Sequence, residues 1–367
     1  MRSRRRGVLV VGALLVALAV VFWFVNDAPE PTSHTDAVTS IAVGQVNGRP
    51  VAVSAGRDAT VQIWDLTTKQ QVGDLTIEEK AGEPLTGHER IIAVAVGEVG
   101  GRPVVVSGGG DATVRVWDLA TRKQVGEPLT GHESNVGSVA VGEVDGRPVA
   151  VSASKDGTIR VWDLISKEQV GEPLTGHVAN GIVVTVGEVG GRPVIVSGGW
   201  EGTVRVWDLA TRKQVGEPLT GHERNVVSVA VGEVDGRPVA VSGGWEGTVR
   251  VWDLTTMKQI GNPLVGHEMA GGPVTFGQVS GRPVVVSGGV DHTVRVWDLT
   301  TMKQAGDSLT GHDRAVYSVA VTQVNGRSVI VSGGEDHTVR VWDLITREPV
   351  GDPLVGHERK GASATAD

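Results

Sequence analysis

Residues 243–254 read GGWEGTVRVWDL, with Trp245 and Trp252 seven positions apart. The second of them is followed by Asp, and Trp-Asp recurs at 64, 117, 162, 207, 252, 297 and 342. The last five intervals are 45 residues and the first is 53, the excess lying near Asp74 to Gly82. A histidine precedes each of these tryptophans by 30 residues, at 34, 132, 177, 222, 267 and 312, or by 29 in the case of His88. Self-similarity on this scale governs the fold before any local reading does.

Each unit reads as four short Val-rich strands, for example near Val136 to Glu143, Pro148 to Ala153, Thr158 to Leu164 and Gln169 to Leu174. Asp145-Gly146 and Asn47-Gly48 are type I′ hairpin signals, since both central residues of that turn need positive φ. Pro148 and its counterparts open the second strand, where a missing N–H is tolerated. A second proline, at 84, 128, 173, 218, 263 and 353, falls in the fourth strand and marks it as the outer edge. The first strand is then innermost. One four-stranded sheet cannot bury two apolar faces, whereas seven arranged radially cover one another and close a ring. The expectation is an all-β, seven-bladed β-propeller.

His followed 30 residues later by Trp-Asp, usually with Gly before the His, resembles the WD40 repeat over residues 34–357. Phrases such as VAVGEVDGRPVAVSGG are similar to WD40 proteins of high-GC bacteria. The pattern departs at Ser33-His34, where the Gly is lost. Many such rings borrow their last outer strand from the N-terminus; here Glu348 to Leu354 can supply it, so each blade is expected to be continuous in sequence.

Every unit also holds His, Ser and an acid, the residue types of a hydrolase triad. His132, Ser152 and Asp156 form one set, His312, Ser332 and Asp336 another, and seven copies argue against catalysis. The resemblance implies instead a buried network in which the acid orients the His, the His meets the Ser, and the Ser meets Trp162 or Trp342. Buried indole and imidazole groups need partners, which accounts for the fixed spacing. His292 and His337 lack metal-site spacing, and there is no phosphate-binding glycine loop. No enzyme, metal or cofactor is expected.

Where the units disagree, no packing rule explains it. Seven residues before the repeated tryptophan stand Arg57, Gly110, Lys155, Trp200, Trp245, Val290 and Glu335, and after the histidines come Arg90, Arg224, Met269 and Arg314 among others. Antiparallel order places these second-to-third turns and fourth-to-first loops at one end of the ring. Loops on a rigid scaffold carry recognition, and aromatic, Arg and Met side chains are enriched at interfaces. Trp200 and Trp245 are the candidate anchors of a protein partner; simple duplication of one blade is the structural alternative. Arginines 49, 102, 147, 192, 237, 282 and 327 ring the opposite end and read as a solvated salt-bridged rim.

Arg2, Arg4, Arg5 and Arg6 precede Gly7 to Val25, nineteen uncharged residues, long enough for one transmembrane helix. The basic flank predicts a cytoplasmic N-terminus and a propeller outside the cytoplasm. A secreted form after signal cleavage is the alternative, although Asn26-Asp27-Ala28 is a poor cleavage site. Residues 26–33 would be a linker reaching roughly 26 Å, and 358–367 an unstructured tail. Net charge is -8, and the acidic excess beyond the first residues disfavours nucleic acid; with no Cys, thiolate sites and disulfides are excluded. The composite expectation is a non-catalytic, membrane-anchored interaction scaffold whose partners are membrane or cell-envelope proteins. A glycan- or small-molecule-binding propeller, even an enzyme, using the central channel is the alternative.

Overall fold

A computed structural model describes residues 34, 36–74, 88, 90–268 and 271–354. The expected anchor at 7–25, the linker, the tail at 358–367, the insertion beyond Asp74 and Met269 lie outside these residues. Among the described residues no helix is long and apolar enough to cross a membrane.

The unit His34–Val355 consists of seven antiparallel sheets with strands in consecutive order. In the third blade the strands are Val136–Val144, Arg147–Ser154, Thr158–Asp163 and Leu174–Thr175. The first hairpin turns as its residues demand: Asp145 has φ 50° and Gly146 76°, and Asn47 and Gly48 have 51° and 76°. The expected strand from Gln169 to Leu174 is split into an isolated pairing of Trp162 with Gln169 and the short terminal strand. Between them stand Gly171, at φ 69°, and Pro173, which has no N–H to give. Blades four and five carry full outer strands, Lys213–Thr220 and Lys258–Val265, in spite of Pro218 and Pro263.

The core lies between blades. Trp162 packs with Val104, Val106, Val114 and Val116 of the preceding blade, and the pattern repeats around the ring. Close approach at the inner strands depends on glycine: a methyl group on Gly142 would sit 2.5 Å from Val186 of the next blade. The same Val-over-Gly arrangement recurs at Gly44, Gly97 and Gly187, and Phe276 replaces the Val over Gly232.

Two further inter-blade devices escape a strand-level reading. Ser40, Ser138, Ser228 and Ser318 accept the backbone N–H of Val94, Val184, Val274 and Ile41 in the next blade, at 2.8–3.1 Å. At the other end, the last residue of each third-to-fourth turn adopts positive φ without being glycine: Lys69, Arg122, Lys167, Arg212, Met257, Met302 and Arg347. Six of these long side chains lie against an outer-strand glycine of the preceding blade, as Arg212 does on Gly171 and Met257 on Gly216.

Blade one closes on blade seven by the same means. Val38, Ile41 and Trp64 share a core with Val329, Val331 and Val339, and Lys69 covers Gly351. The seventh outer strand is supplied by the C-terminal segment, where Leu354 exchanges both backbone hydrogen bonds with Val339. Every blade is therefore continuous in sequence.

Candidate functional site

The variable end is built on the repeated His, Ser and acid. In blade three, Asp156 Oδ1 accepts the Thr158 N–H at 2.8 Å and its hydroxyl at 2.7 Å, folding the second-to-third turn around the carboxylate. Its Oδ2 accepts from His132 Nδ1 at 3.0 Å and from the Glu133 N–H at 2.9 Å. The ionised acid can only accept, so Nδ1 of a neutral imidazole carries the proton and Nε2 accepts from Ser152, 2.8 Å away. Ser152 Oγ in turn accepts the Trp162 indole N–H at 2.8 Å. The same chain joins His312, Ser332, Asp336 and Trp342. Both serines have no solvent exposure and their oxygens are held by the indoles, so these sets are unsuited to nucleophilic attack.

In blades four and five the acid is Glu201 or Glu246, which still reaches His177 or His222. Glu246 Oε2 is enclosed with no hydrogen-bond partner among the described residues.

Burial by itself raises the Asp58 carboxyl, but the His34 bond and charge and the Thr60 hydroxyl and N–H outweigh it and hold the pKa at about 2. Asp156 is likewise held at about 2 against its burial, by Thr158, the Glu133 N–H and His132. Burial lowers His88, His132, His177 and His222, and the bonded acid offsets this only in part. Both kinds of group bind protons more weakly folded than unfolded, so proton uptake favours unfolding. The imidazole contribution is complete above the ordinary 6.5 and is lost below it. The carboxylate contribution is complete above 3.8 and is lost as pH falls toward about 2. A melting temperature followed from pH 8 downward should hold, decline below about 6.5, and drop steeply below about 4. A flat profile across that whole range would contradict the network.

The anchored turn presents its preceding residue at the surface. Main-chain N–H groups of Arg57, Gly110, Lys155, Trp245 and Glu335 bond to carbonyls of the loop entering their own inner strand, at 2.8–3.0 Å. The varying residues thus stand at one end of the ring. Trp200 is 50% exposed and Trp245 49%. The loop carrying Arg224 lies between them, since the backbone oxygens of His222 and Arg224 border Gly202. Lys155, Arg90, Arg224 and Arg314 are exposed, and Val290 is half-buried.

Trp200 lies on Gly181, where a methyl group would strike the indole edge. Gly181 stands where blades three and five have buried Val136 and Val226, so blade four alone pairs Ile182 with Gly199 and Val183 with Gly198 without a bulge.

Two sequence candidates are engaged within the chain. The Arg57 guanidinium lies 5.5 Å from the ring centre of Tyr317, the single tyrosine. Burial and then the Glu335 carboxylate push the Tyr317 hydroxyl pKa up. Arg57 and Glu335 thereby clasp blades one and seven through a residue that sequence reasoning passed over. It also passed over Val265, 72% exposed where blades two to four and six have Thr, while Val178 of the variable loops is 59% exposed beside His177. That Thr-to-Val difference was the available signal. On the opposite end Arg147 meets Asp163 at 3.3 Å and Arg49 meets Asp65 at 4.0 Å, with both arginines largely exposed, as a solvated rim requires. Among the described residues no group of three or more His, Cys, Asp or Glu could hold a metal.

The family model described as WD40, WD domain, G-beta repeat, matches residues 29–65, 81–118, 122–163, 168–208, 212–253, 265–298 and 304–343. The chain belongs to the WD40 family. Each matched segment ends on the Trp-Asp pair in the third strand of one blade, and those beginning at 122, 168 and 212 take in the outer strand of the blade before, so the seven repeats map onto the seven sheets with an offset of one strand. The chain is also similar to the small ribosomal subunit protein RACK1z of Oryza sativa subsp. japonica, 35% identical over 88 residues. That match spans 23% of this WD40 chain and 26% of the relative.

Proposed function

We propose that this WD40 propeller is a non-catalytic scaffold that binds a membrane or cell-envelope protein at the variable end, anchored by Trp200 and Trp245. The carrying observation is the pair of half-exposed indoles on adjacent blades, on a surface whose other positions differ from blade to blade. Large aromatic side chains left in water are costly unless a partner covers them, and they supply contact area with few torsions to freeze. Lys155, Arg224 and Arg90 lie in the polar surroundings expected of an interface rim. The apolar segment 7–25 with its basic flank would hold the propeller at the outer side of the cytoplasmic membrane.

The channel mouth supports the small-molecule alternative less well. Its cavity is about 160 Å³, bordered by aliphatic residues, by Thr39 and Tyr317, and by serines already bonded to backbone, whereas ligand sites commonly occupy about 300 Å³ or more.

Intact cells treated with a membrane-impermeant crosslinker provide the test. The native chain should capture a partner that the Trp200→Ala/Trp245→Ala double variant loses, with little change in melting temperature because both side chains are at the surface. Equal capture by both proteins would remove the anchor assignment. Capture only with a permeant reagent would remove the outward display.

A further inference from the structure

The chain contains three Asn-Gly pairs: Asn47-Gly48, Asn180-Gly181 and Asn325-Gly326. In such a pair the following residue has no side chain to obstruct its nitrogen. That nitrogen can attack the Asn carboxamide carbon, forming a C–N bond and expelling ammonia to leave a cyclic imide. Water then opens the ring at either carbonyl, giving aspartate or isoaspartate. Net, one water is consumed and one ammonia released, with no oxidant or enzyme.

Ring closure requires the backbone after the Asn to swing its amide nitrogen against the side chain. Asn47 and Asn325 resist this. Both are first residues of two-residue hairpins, at φ 51° and 50°, each followed by glycine near 75° and closed on both sides by strand pairing, Val46 with Arg49 and Val324 with Arg327. Moving either turn means breaking into a ladder.

Asn180 is in a different setting. It is exposed, lies in the loop before the fourth inner strand, and has φ 128°, followed by Gly181 at 145°. Both values lie in a region that side-chain-bearing residues rarely occupy, and Asn pays for it. The Asn180 N–H bonds to the Lys155 carbonyl at 3.2 Å, but its side chain makes no hydrogen bond among the described residues. No strand pairing closes the loop ahead of it; the ladder begins only at Ile182.

We propose that Asn180 is a site of spontaneous deamidation and isomerisation in the folded protein, reacting well ahead of Asn47 and Asn325. The position gives the change consequence. Gly181 is the floor under Trp200, and isoaspartate inserts an extra methylene into the main chain immediately before it. Conversion to aspartate at the hairpins would be benign, because blades three and five already use Asp145 and Asp235 in the same turn with φ 50°. Blade four has no such precedent.

The test uses the full chain incubated in mildly alkaline buffer, folded and in urea, with site-resolved mass spectrometry and enzymatic methyl labelling of isoaspartate. In the folded protein Asn180 should convert at least about tenfold faster than either hairpin Asn, a barrier difference of about 1.4 kcal/mol. In urea the three rates should converge, because each is then an unrestrained Asn-Gly. Asn180→Gln should abolish the fast isoaspartate signal. A folded protein in which Asn180 reacts no faster than Asn47 and Asn325, or in which Asn180→Gln leaves the fast signal, overturns the proposal.

Discussion

Gly142→Val should destabilise the ring by about 3 kcal/mol, at the upper end of what overpacking a tight interior costs. The added carbons have nowhere to go: the first of them would already lie 2.5 Å from Val186 Cγ1. Val186 is itself on an inner strand packed by the next blade, so relief would have to pass around the ring. Gly142→Ala is the graded member of the series and should fall between. Gly137→Ala in the same strand is the control, because a methyl group there meets nothing within 4 Å; its effect should be near zero or slightly favourable. Urea unfolding midpoints, with slopes compared, provide the measurement. Equal shifts at the two positions would mean that the blades do not interlock as described.

Trp252→Phe ranks second, at about 2–3 kcal/mol. It removes the indole N–H that lies 2.8 Å from Ser242 Oγ, and opens space in a site only 2% exposed. Ser242→Ala should cost at least as much, since it strands both the indole N–H and His222 Nε2 in the interior. Because the two changes break one chain of bonds, the double variant should be less damaging than the sum of the singles. Trp245→Phe, seven residues earlier and half in solvent, should leave the midpoint almost unmoved. Thermal or urea unfolding of all four variants decides the matter, and strict additivity would count against a shared network.

Those two tryptophans also show what could be read from the chain and what could not. The spacing of His and Trp-Asp was sufficient for the blade count, the prolines for the strand order, and Glu348 to Leu354 for the continuous last blade, whereas the buried network was what the resemblance to WD40 repeats implied, the need to pair buried groups supplying its physical reason. The exposed end was read correctly as the place where blades differ. The fate of particular residues there was not legible. Arg57 and Glu335 meet on Tyr317 only because the ring brings the first and seventh blades together, about 260 residues apart in sequence. The seat of Trp200 on Gly181 depends on blade four having glycine where blade five has Val226, a contrast that has meaning only once a bulge is seen to be missing. The serine clasps were invisible for a similar reason: a hydroxyl in a Val-rich strand carries no sign of which neighbour's backbone it will accept from.

The side chains that lie over outer-strand glycines have a bearing on ancestry and engineering. Lys69 on Gly351 is the same fastening as Met257 on Gly216, so the joint between the chain's first and last units is chemically ordinary. A molecule assembled this way has no privileged starting point. Cutting it in another turn and joining the old ends should yield a circular permutant with the same rim, and gene duplication can insert or delete one 45-residue module without inventing a new junction.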